Sequence, residues 1–292
     1  MSIKKVGVVG CGLMGHGIAQ VAAQGGLTVQ VVETEQKFLD SGLQRIDKSL
    51  AKLSEKAKEK GGTFDAAGIR KRISGSLDKK TLADCDLVIE AIVENLDAKN
   101  ALFAELGKIC KKEAIFASNT SSFPIAKMAA ASGRPKQFVG LHFFNPVQLM
   151  KLVEVVRTKD TSDEVFASAR AFGESCGKTP VACKDTPGFV VNRLLVPYLV
   201  QSLLLLERGD ASANDIDTAM KLGCGHPMGP IELSDYVGLD TTLSILEGWV
   251  AAHPKEPSFV IPAILKKKVA EKKLGRNSGE GFYKWEGDKK AS

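Results

Sequence analysis

IKKVGVVGCGLMGHGIAQ, residues 3–20, reads as a short apolar strand, a glycine-rich turn and the opening of a helix. The turn is Gly10-Cys11-Gly12-Leu13-Met14-Gly15, a GxGxxG, and the helical pattern continues through Ala23. In strand–turn–helix context Gly10 permits a tight turn, Gly12 lets backbone approach a pyrophosphate, and Gly15 allows helix and strand to pack closely. The helix N-terminus offers unpaired N–H groups to the anion. GxGxxG alone is weak, so the next strand matters. Thr28–Val32 ends at Glu33, 23 residues after Gly10, where a dinucleotide fold places the acid that binds the adenosine ribose hydroxyls. A solvated strand end is the plain alternative for Glu33. With the context complete the dinucleotide reading is preferred, and an acid there repels a 2′-phosphate, so NAD is expected rather than NADP.

Outward from that stretch, strand and helix patterns alternate. Residues 36–60 predict a long helix with Leu43, Ile46, Leu50, Leu53 and Ala57 as one apolar stripe, and Arg45, Ser49, Lys52 and Lys56 along another face. That basic face is either solvated or a contact for a phosphorylated ligand. Ile73–Ser76, Asp86–Ile92 and Ala114–Ala117 read as strands, and Leu96–Cys110 as a helix. In an open parallel sheet ligands sit beyond the C-terminal strand ends, and Glu94 and Ser121 both fall just past such ends. Ser121 could equally cap a helix starting after Pro124. Ser162–Cys176 predicts a helix and Thr179–Cys183 a last strand.

Phe138–Phe144 and Lys151–Val156 read as neighbouring strands separated by Asn145-Pro146. A chain that doubles back there can set Glu154 beside His142. A carboxylate so placed fixes the imidazole tautomer, as a general base working near neutral pH requires. The alternative is a satisfied core histidine. After Pro187-Gly188 a helix apolar nearly all round contains Asn192, a buried amide that must cap a local gap or face a ligand. Asn214–Leu222, Ser234–Val250 and Pro262–Lys273 predict further helices, with no strand pattern until Phe282-Tyr283. The expected fold is therefore α/β: a Rossmann-like dinucleotide-binding domain with a mainly parallel sheet, residues 1–185, followed by a smaller all-α domain, 186–292.

Composition narrows the function. The chain of 292 residues carries a net charge of +6, and three Tyr and two Trp give a nucleic-acid surface little to stack on, so an anionic small molecule is the simpler partner. The richest apolar run, Phe189–Leu206, is interrupted by Asn192, Arg193, Pro197 and Gln201, which argues against membrane insertion. Six cysteines without CxxC or metal-ligand spacing point to reduced thiols and no metal site. No targeting segment is visible before the first strand.

The motifs GCGLMGHGIAQ (10–20), EAIVENL (90–96), ASNTSS (117–122), GLHFFNPV (140–147), KLVEVV (151–156), KDTPGFVVNRLLVPYL (184–199), HPMGPIEL (226–233) and GEGFYK (279–284) together resemble the L-3-hydroxyacyl-CoA dehydrogenases, the short-chain, single-function type of fatty acid β-oxidation. The resemblance covers nearly the whole chain. It implies oxidation of the 3-hydroxyl of an L-3-hydroxyacyl-CoA with NAD as cofactor. His142 would be the base, Glu154 its orienting acid, and Ser121 and Asn192 hydrogen-bonding partners of the substrate. Gly10, Gly12, Leu13, Met14, Gly15, Glu33, Glu94, Lys99, Ser121 and Asn145 would face the cofactor. Ser49, Lys56, Lys99 and Ser121 would face the CoA ester. It also implies a homodimer through the C-terminal domain and the mitochondrial matrix, with the cytoplasm as the alternative. Two departures stand out. Glu33 occupies a position where mitochondrial members carry Asp, and Arg276-Asn277-Ser278 precedes GEGFY where a lysine contacts the cofactor. The alternatives are a 3-hydroxybutyryl-CoA dehydrogenase acting reductively and a non-catalytic, crystallin-like NAD-binding relative.

Overall fold

A parallel strand covered by helices on both faces has no solvent side, so its sequence is a continuous apolar run. The computed structural model, which describes residues 2–291, bears this out in β1 (Lys5–Val9), β2 (Thr28–Val32), β4 (Leu87–Glu90), β5 (Ile115–Ser118), β6 (Phe138–Phe143) and β7 (Leu152–Arg157), whereas β3 (Ile73–Ser76) and β8 (Thr179–Lys184), the two edge strands, are largely exposed and less apolar. Among the described residues they form one eight-stranded sheet in the order β3-β2-β1-β4-β5-β6-β7-β8. Every neighbouring pair is parallel except β6 and β7. Val6, Val8, Leu87, Ile89, Ile115 and Ala117 pack on one face, and Val9, Val88 and Phe116 on the other, the two-residue alternation of a strand.

The helices covering these faces are α1 (Gly15–Gln24), α2 (Gln36–Glu59), α3 (Ala66–Lys71), α4 (Leu96–Ile109), α5 (Ile125–Ala131) and α6 (Asp163–Ser175). Side chains cap several of them: Asn95 accepts from the Ala98 N–H, and Ser162 from that of Val165. The cap of α5 is not Ser121. Asp185 supplies it from 60 residues away, accepting from the N–H groups of Ile125 (2.9 Å) and Ala126 (2.8 Å). In α2 the buried residues are Leu39, Gly42, Ile46 and Leu50. The expected stripe is thus packed only as far as Leu50, and Leu53 and Ala57 are half-buried on a helix about 36 Å long.

The chain divides into two compact units, Met1–Phe189 and Val190–Ser292, a division slightly later than 185. The second holds α7 (Val191–Glu207), α8 (Ala213–Cys224), α9 (Pro230–Val237), α10 (Leu239–Ala252) and α11 (Ala263–Ala270), around a core that includes Val200, Leu203, Ile231, Leu246, Trp249 and Leu265. The helix expected over Ser234–Val250 is two helices, because Gly238 sits at φ +105°, outside the helical region. Phe282 and Tyr283 do not form a strand either. The Asp235 carboxylate takes both their N–H groups, at 2.9 and 2.8 Å, together with the Trp285 indole N–H. The strand pair in this unit is β9 (Trp285–Glu286) with β10 (Lys289–Lys290), a small departure from an all-α domain. No helix of the described residues is long and apolar enough to cross a membrane.

Candidate active site

The C-terminal ends of β1, β2, β4, β5 and β6 open on one edge of the sheet, and β7, running the other way, starts there. His142 and Glu154 are directly paired across the antiparallel β6–β7 ladder. Their side chains meet on the same face, with His142 Nδ1 2.6 Å from Glu154 Oε2. His142 is 6% exposed and Glu154 fully buried. The carboxylate accepts, so Nδ1 carries the proton and Nε2 presents its lone pair. The rings of Phe144 and Phe189, at centroid distances of 4.5 and 5.5 Å, hold the imidazole edge in place.

On the same edge the glycine turn joins β1 to α1. Gly10 sits at φ +96°, and a Cβ there would lie 2.5 Å from the Ala91 carbonyl oxygen. A Cβ on Gly15 would lie 1.9 Å from the Gly10 carbonyl oxygen, so the helix can approach the strand only as glycine. Gly12 faces open space, with no atom within 4 Å of the corresponding position, beside the N-terminus of α1. That is a cradle shaped for an anionic linkage. Glu33 closes it at the end of β2, accepting from the Cys11 N–H at 2.6 Å and the Thr34 N–H at 3.0 Å while keeping further lone pairs for ribose hydroxyls. Burial, reinforced by the Glu33 charge, pushes the Cys11 thiol up to about 12, so no thiolate opposes an anion in the turn. These residues fit a dinucleotide.

Between the turn and the histidine lies the loop after β5. Glu94 Oε1 accepts from the hydroxyls of Thr120 (2.5 Å) and Ser122 (2.8 Å) and from the Ser121 N–H (3.3 Å). The Ser121 hydroxyl makes no hydrogen bond among the described residues and is half-buried, available to a ligand. Burial disfavours ionised Glu94, but the Lys99 ammonium and the two hydroxyls outweigh it and hold the carboxyl below the usual carboxylate range. Lys99, expected at the ligand, is instead 1% exposed. Its ammonium lies 2.5 Å from Glu90 and 3.1 Å from Glu94.

Asn145 is exposed two residues beyond β6, on the same edge. Ser49 is half-buried and Lys56 exposed on α2, and Lys56 has no ion-pair partner among the described residues. Asn192 lies in the first turn of α7, in the second unit. Arg276, in the same unit, is engaged by Asp288 at 2.7 Å and stacks on the Tyr236 ring at 4.2 Å. Among the described residues no group of His, Cys, Asp and Glu is placed to hold a metal ion.

Models of two protein families match the chain: the 3-hydroxyacyl-CoA dehydrogenase NAD-binding domain over residues 5–186, and the 3-hydroxyacyl-CoA dehydrogenase C-terminal domain over 188–285. The chain belongs to the 3-hydroxyacyl-CoA dehydrogenase family. It is 52% identical over 287 residues to the mitochondrial hydroxyacyl-coenzyme A dehydrogenase of Mus musculus, covering 97% of this chain and 91% of that one. It is 50% identical to a probable 3-hydroxybutyryl-CoA dehydrogenase of Deinococcus radiodurans, covering 96% and 100%. Among solved structures, the (S)-3-hydroxybutyryl-CoA dehydrogenase of Ralstonia eutropha superposes with a TM-score of 0.93 at 41% identity, covering 98% of this chain and 100% of that one. This member of the 3-hydroxyacyl-CoA dehydrogenase family is accordingly an NAD-dependent oxidoreductase.

Several residues that shape this dehydrogenase site have no role assigned from the sequence, although Asn119, Gly17 and Glu90 lie inside its motifs. Asn119 Oδ1 accepts from the Phe143 N–H at 2.9 Å, tying the serine loop to the base-bearing strand. Lys178, buried, donates to the carbonyls of Val147 and Met150 and so fixes the turn after Asn145; burial holds its pKa below the ordinary lysine value. Gly17 lets that turn rest on α1, since a Cβ there would lie 2.7 Å from that of Val147. Glu90 is a carboxylate within the apolar run DLVIEAI, which is the signal that could have drawn attention to it.

Proposed function

We propose that the protein interconverts an L-3-hydroxyacyl-CoA and its 3-ketoacyl-CoA, with His142 as general base. The buried His142–Glu154 hydrogen bond, on the strand edge that also carries the glycine turn, is the observation that supports it most. With Nδ1–H committed to Glu154, Nε2 is the atom that takes the proton from the 3-hydroxyl. Glu154 then balances the imidazolium that forms. The Ser121 hydroxyl donates to the oxygen as it becomes a carbonyl, and Asn192 is assigned a second contact to the same oxygen by the resemblance. NAD, when bound, supplies the hydride acceptor. A positioned base contributes about 10²- to 10⁴-fold, and holding the reactants in place supplies much of the rest. Asn145, Glu94 and Glu33 are assigned to the cofactor, Glu33 by accepting from the ribose hydroxyls.

The exposed α2 face supports a CoA site. Ammonium groups suit phosphate as point charges, and Lys56 stands beyond the packed half of the helix where a ligand can reach it. The second reading is the reverse direction, in which the same residues serve reduction with protonated His142 returning the proton, and the Deinococcus relative's name supports 3-hydroxybutyryl-CoA as the ester concerned. Exposed Leu194 (70%) and Leu222 (83%) in the second unit support a homodimer formed there. A place in β-oxidation in the mitochondrial matrix follows the mitochondrial relatives, and a cytoplasmic one the bacterial relatives. Steady-state kinetics with short- to long-chain 3-ketoacyl-CoA esters, NADH and NADPH side by side, tests the proposal. The expected result is turnover with kcat/KM for NADH about tenfold or more above NADPH, given the acid at the ribose. No turnover with any ester sinks the reading.

A further inference from the structure

Glu90 ends β4 in the middle of the sheet, opposite Val9 of β1 and Ser118 of β5, and is fully buried. Its Oε1 accepts from the Lys99 ammonium at 2.5 Å and the Ile92 N–H at 2.8 Å, and its Oε2 from the Ser118 hydroxyl at 2.6 Å. A buried Lys–Glu pair gains little net stability, because desolvating two charges offsets their attraction and a well-packed apolar pair would serve as well. Its connections account for it better. The second contact of Lys99 is Glu94 Oε2 at 3.1 Å, and Glu94 Oε1 gathers Thr120, Ser121 and Ser122. By the other route, Ser118 Oγ accepts from the Thr120 N–H at 3.3 Å. Both oxygens of Glu90 therefore lead to residues 118–122. The Glu90 carbonyl also accepts from the Asn119 N–H at 3.0 Å, and Asn119 binds the strand beside His142.

We propose that Glu90 is a positioning residue: through Lys99 and Ser118 it sets where Glu94 and the 118–122 loop meet the cofactor. The inference rests on the reading that Glu94 and Ser121 face the ligands. Without the Glu90 charge, Lys99 has only Glu94 as a counter-charge and draws it inward, away from the three loop donors. In Glu90→Gln the amide oxygen can still accept from Ser118, so what is lost is the charge facing Lys99, and its effect passes through Glu94.

A double-mutant cycle on NADH affinity tests this, with Kd read by nucleotide fluorescence in wild type, Glu90→Gln, Glu94→Gln and the double variant, and Tm recorded for each. Glu90→Gln should weaken NADH about tenfold in the wild-type background and less than about twofold in the Glu94→Gln background, within the range expected of coupled neighbours. Equal weakening in both backgrounds, the mark of a merely structural role, overturns the proposal, and so does no weakening at all. Should Glu90→Gln fail to fold, the paired replacement Glu90→Gln with Lys99→Met removes both buried charges at once and enters the same cycle with the same two outcomes. The assay needs no acyl substrate. A wild type that binds NADH but turns over no 3-ketoacyl-CoA would refute the proposed function, while the NADH cycle would still decide the role of Glu90.

Discussion

Glu94 and Glu154 show how much of the site is carboxylate placement. Glu94 is held below the usual carboxylate range by Lys99, Thr120 and Ser122 against the opposing effect of burial. A carboxylate whose folded pKa is depressed contributes stability that is fully present above its unfolded value, about 4.3, and is lost as pH falls through the lower folded value. Glu94→Gln removes that contribution. Wild type should therefore lose more thermal stability than Glu94→Gln on acidification from neutral pH to about 3.5, measured as the change in Tm; equal losses would mean that Glu94 carries no net stabilising interaction. At this scale the motif positions are largely legible in the sequence, because His142 and Glu154 fall at facing positions of a hairpin. Lys99 is not. A lysine buried against two acids has no local pattern, since Glu90 and Glu94 precede it by nine and five residues and belong to a strand end and a loop.

At the scale of elements, the turn between β6 and β7 is the piece that joins base to cofactor. Val147 rests on Gly17 of α1, and Gln148 donates to Gln20 at 3.3 Å. Gly17→Ala puts a methyl where Val147 stands and should cost about 1–3 kcal/mol by denaturant unfolding, with weaker NADH binding as the turn shifts. An unchanged NADH Kd would separate the turn from the cofactor site. Lys56→Ala, on the unpacked half of α2, should leave stability unchanged and raise KM severalfold for a CoA ester. It should not do so for a truncated thioester lacking the phosphoadenosine end, since the lost contact is a charge on phosphate. Equal KM values for both would leave that face merely solvated. Local pattern misleads where tertiary contacts override it. Gly238 interrupts an otherwise helical run. Asp235 captures the N–H groups that an expected strand at Phe282-Tyr283 would have paired, and Asp185 caps a helix from 60 residues away.

For the molecule as a whole, apolar runs of strand length alternating with helical patterns make the parallel sheet legible, and the glycine turn identifies its first strand. The order β3-β2-β1-β4-β5-β6-β7-β8 follows from right-handed crossovers only once the pairing is known, and the antiparallel β6–β7 step depends on the turn at Asn145-Pro146. That reversed strand is what brings an acid to the histidine on the cofactor edge, so the fold and the proposed chemistry meet at one contact. The most direct test is the rate of NADH oxidation with acetoacetyl-CoA in wild type and His142→Gln, alongside NADH Kd and Tm for both. A base worth its usual contribution predicts a kcat lower by about 10²-fold or more, with NADH affinity and Tm nearly unchanged. A variant that keeps wild-type kcat would contradict the assignment of His142 as the base.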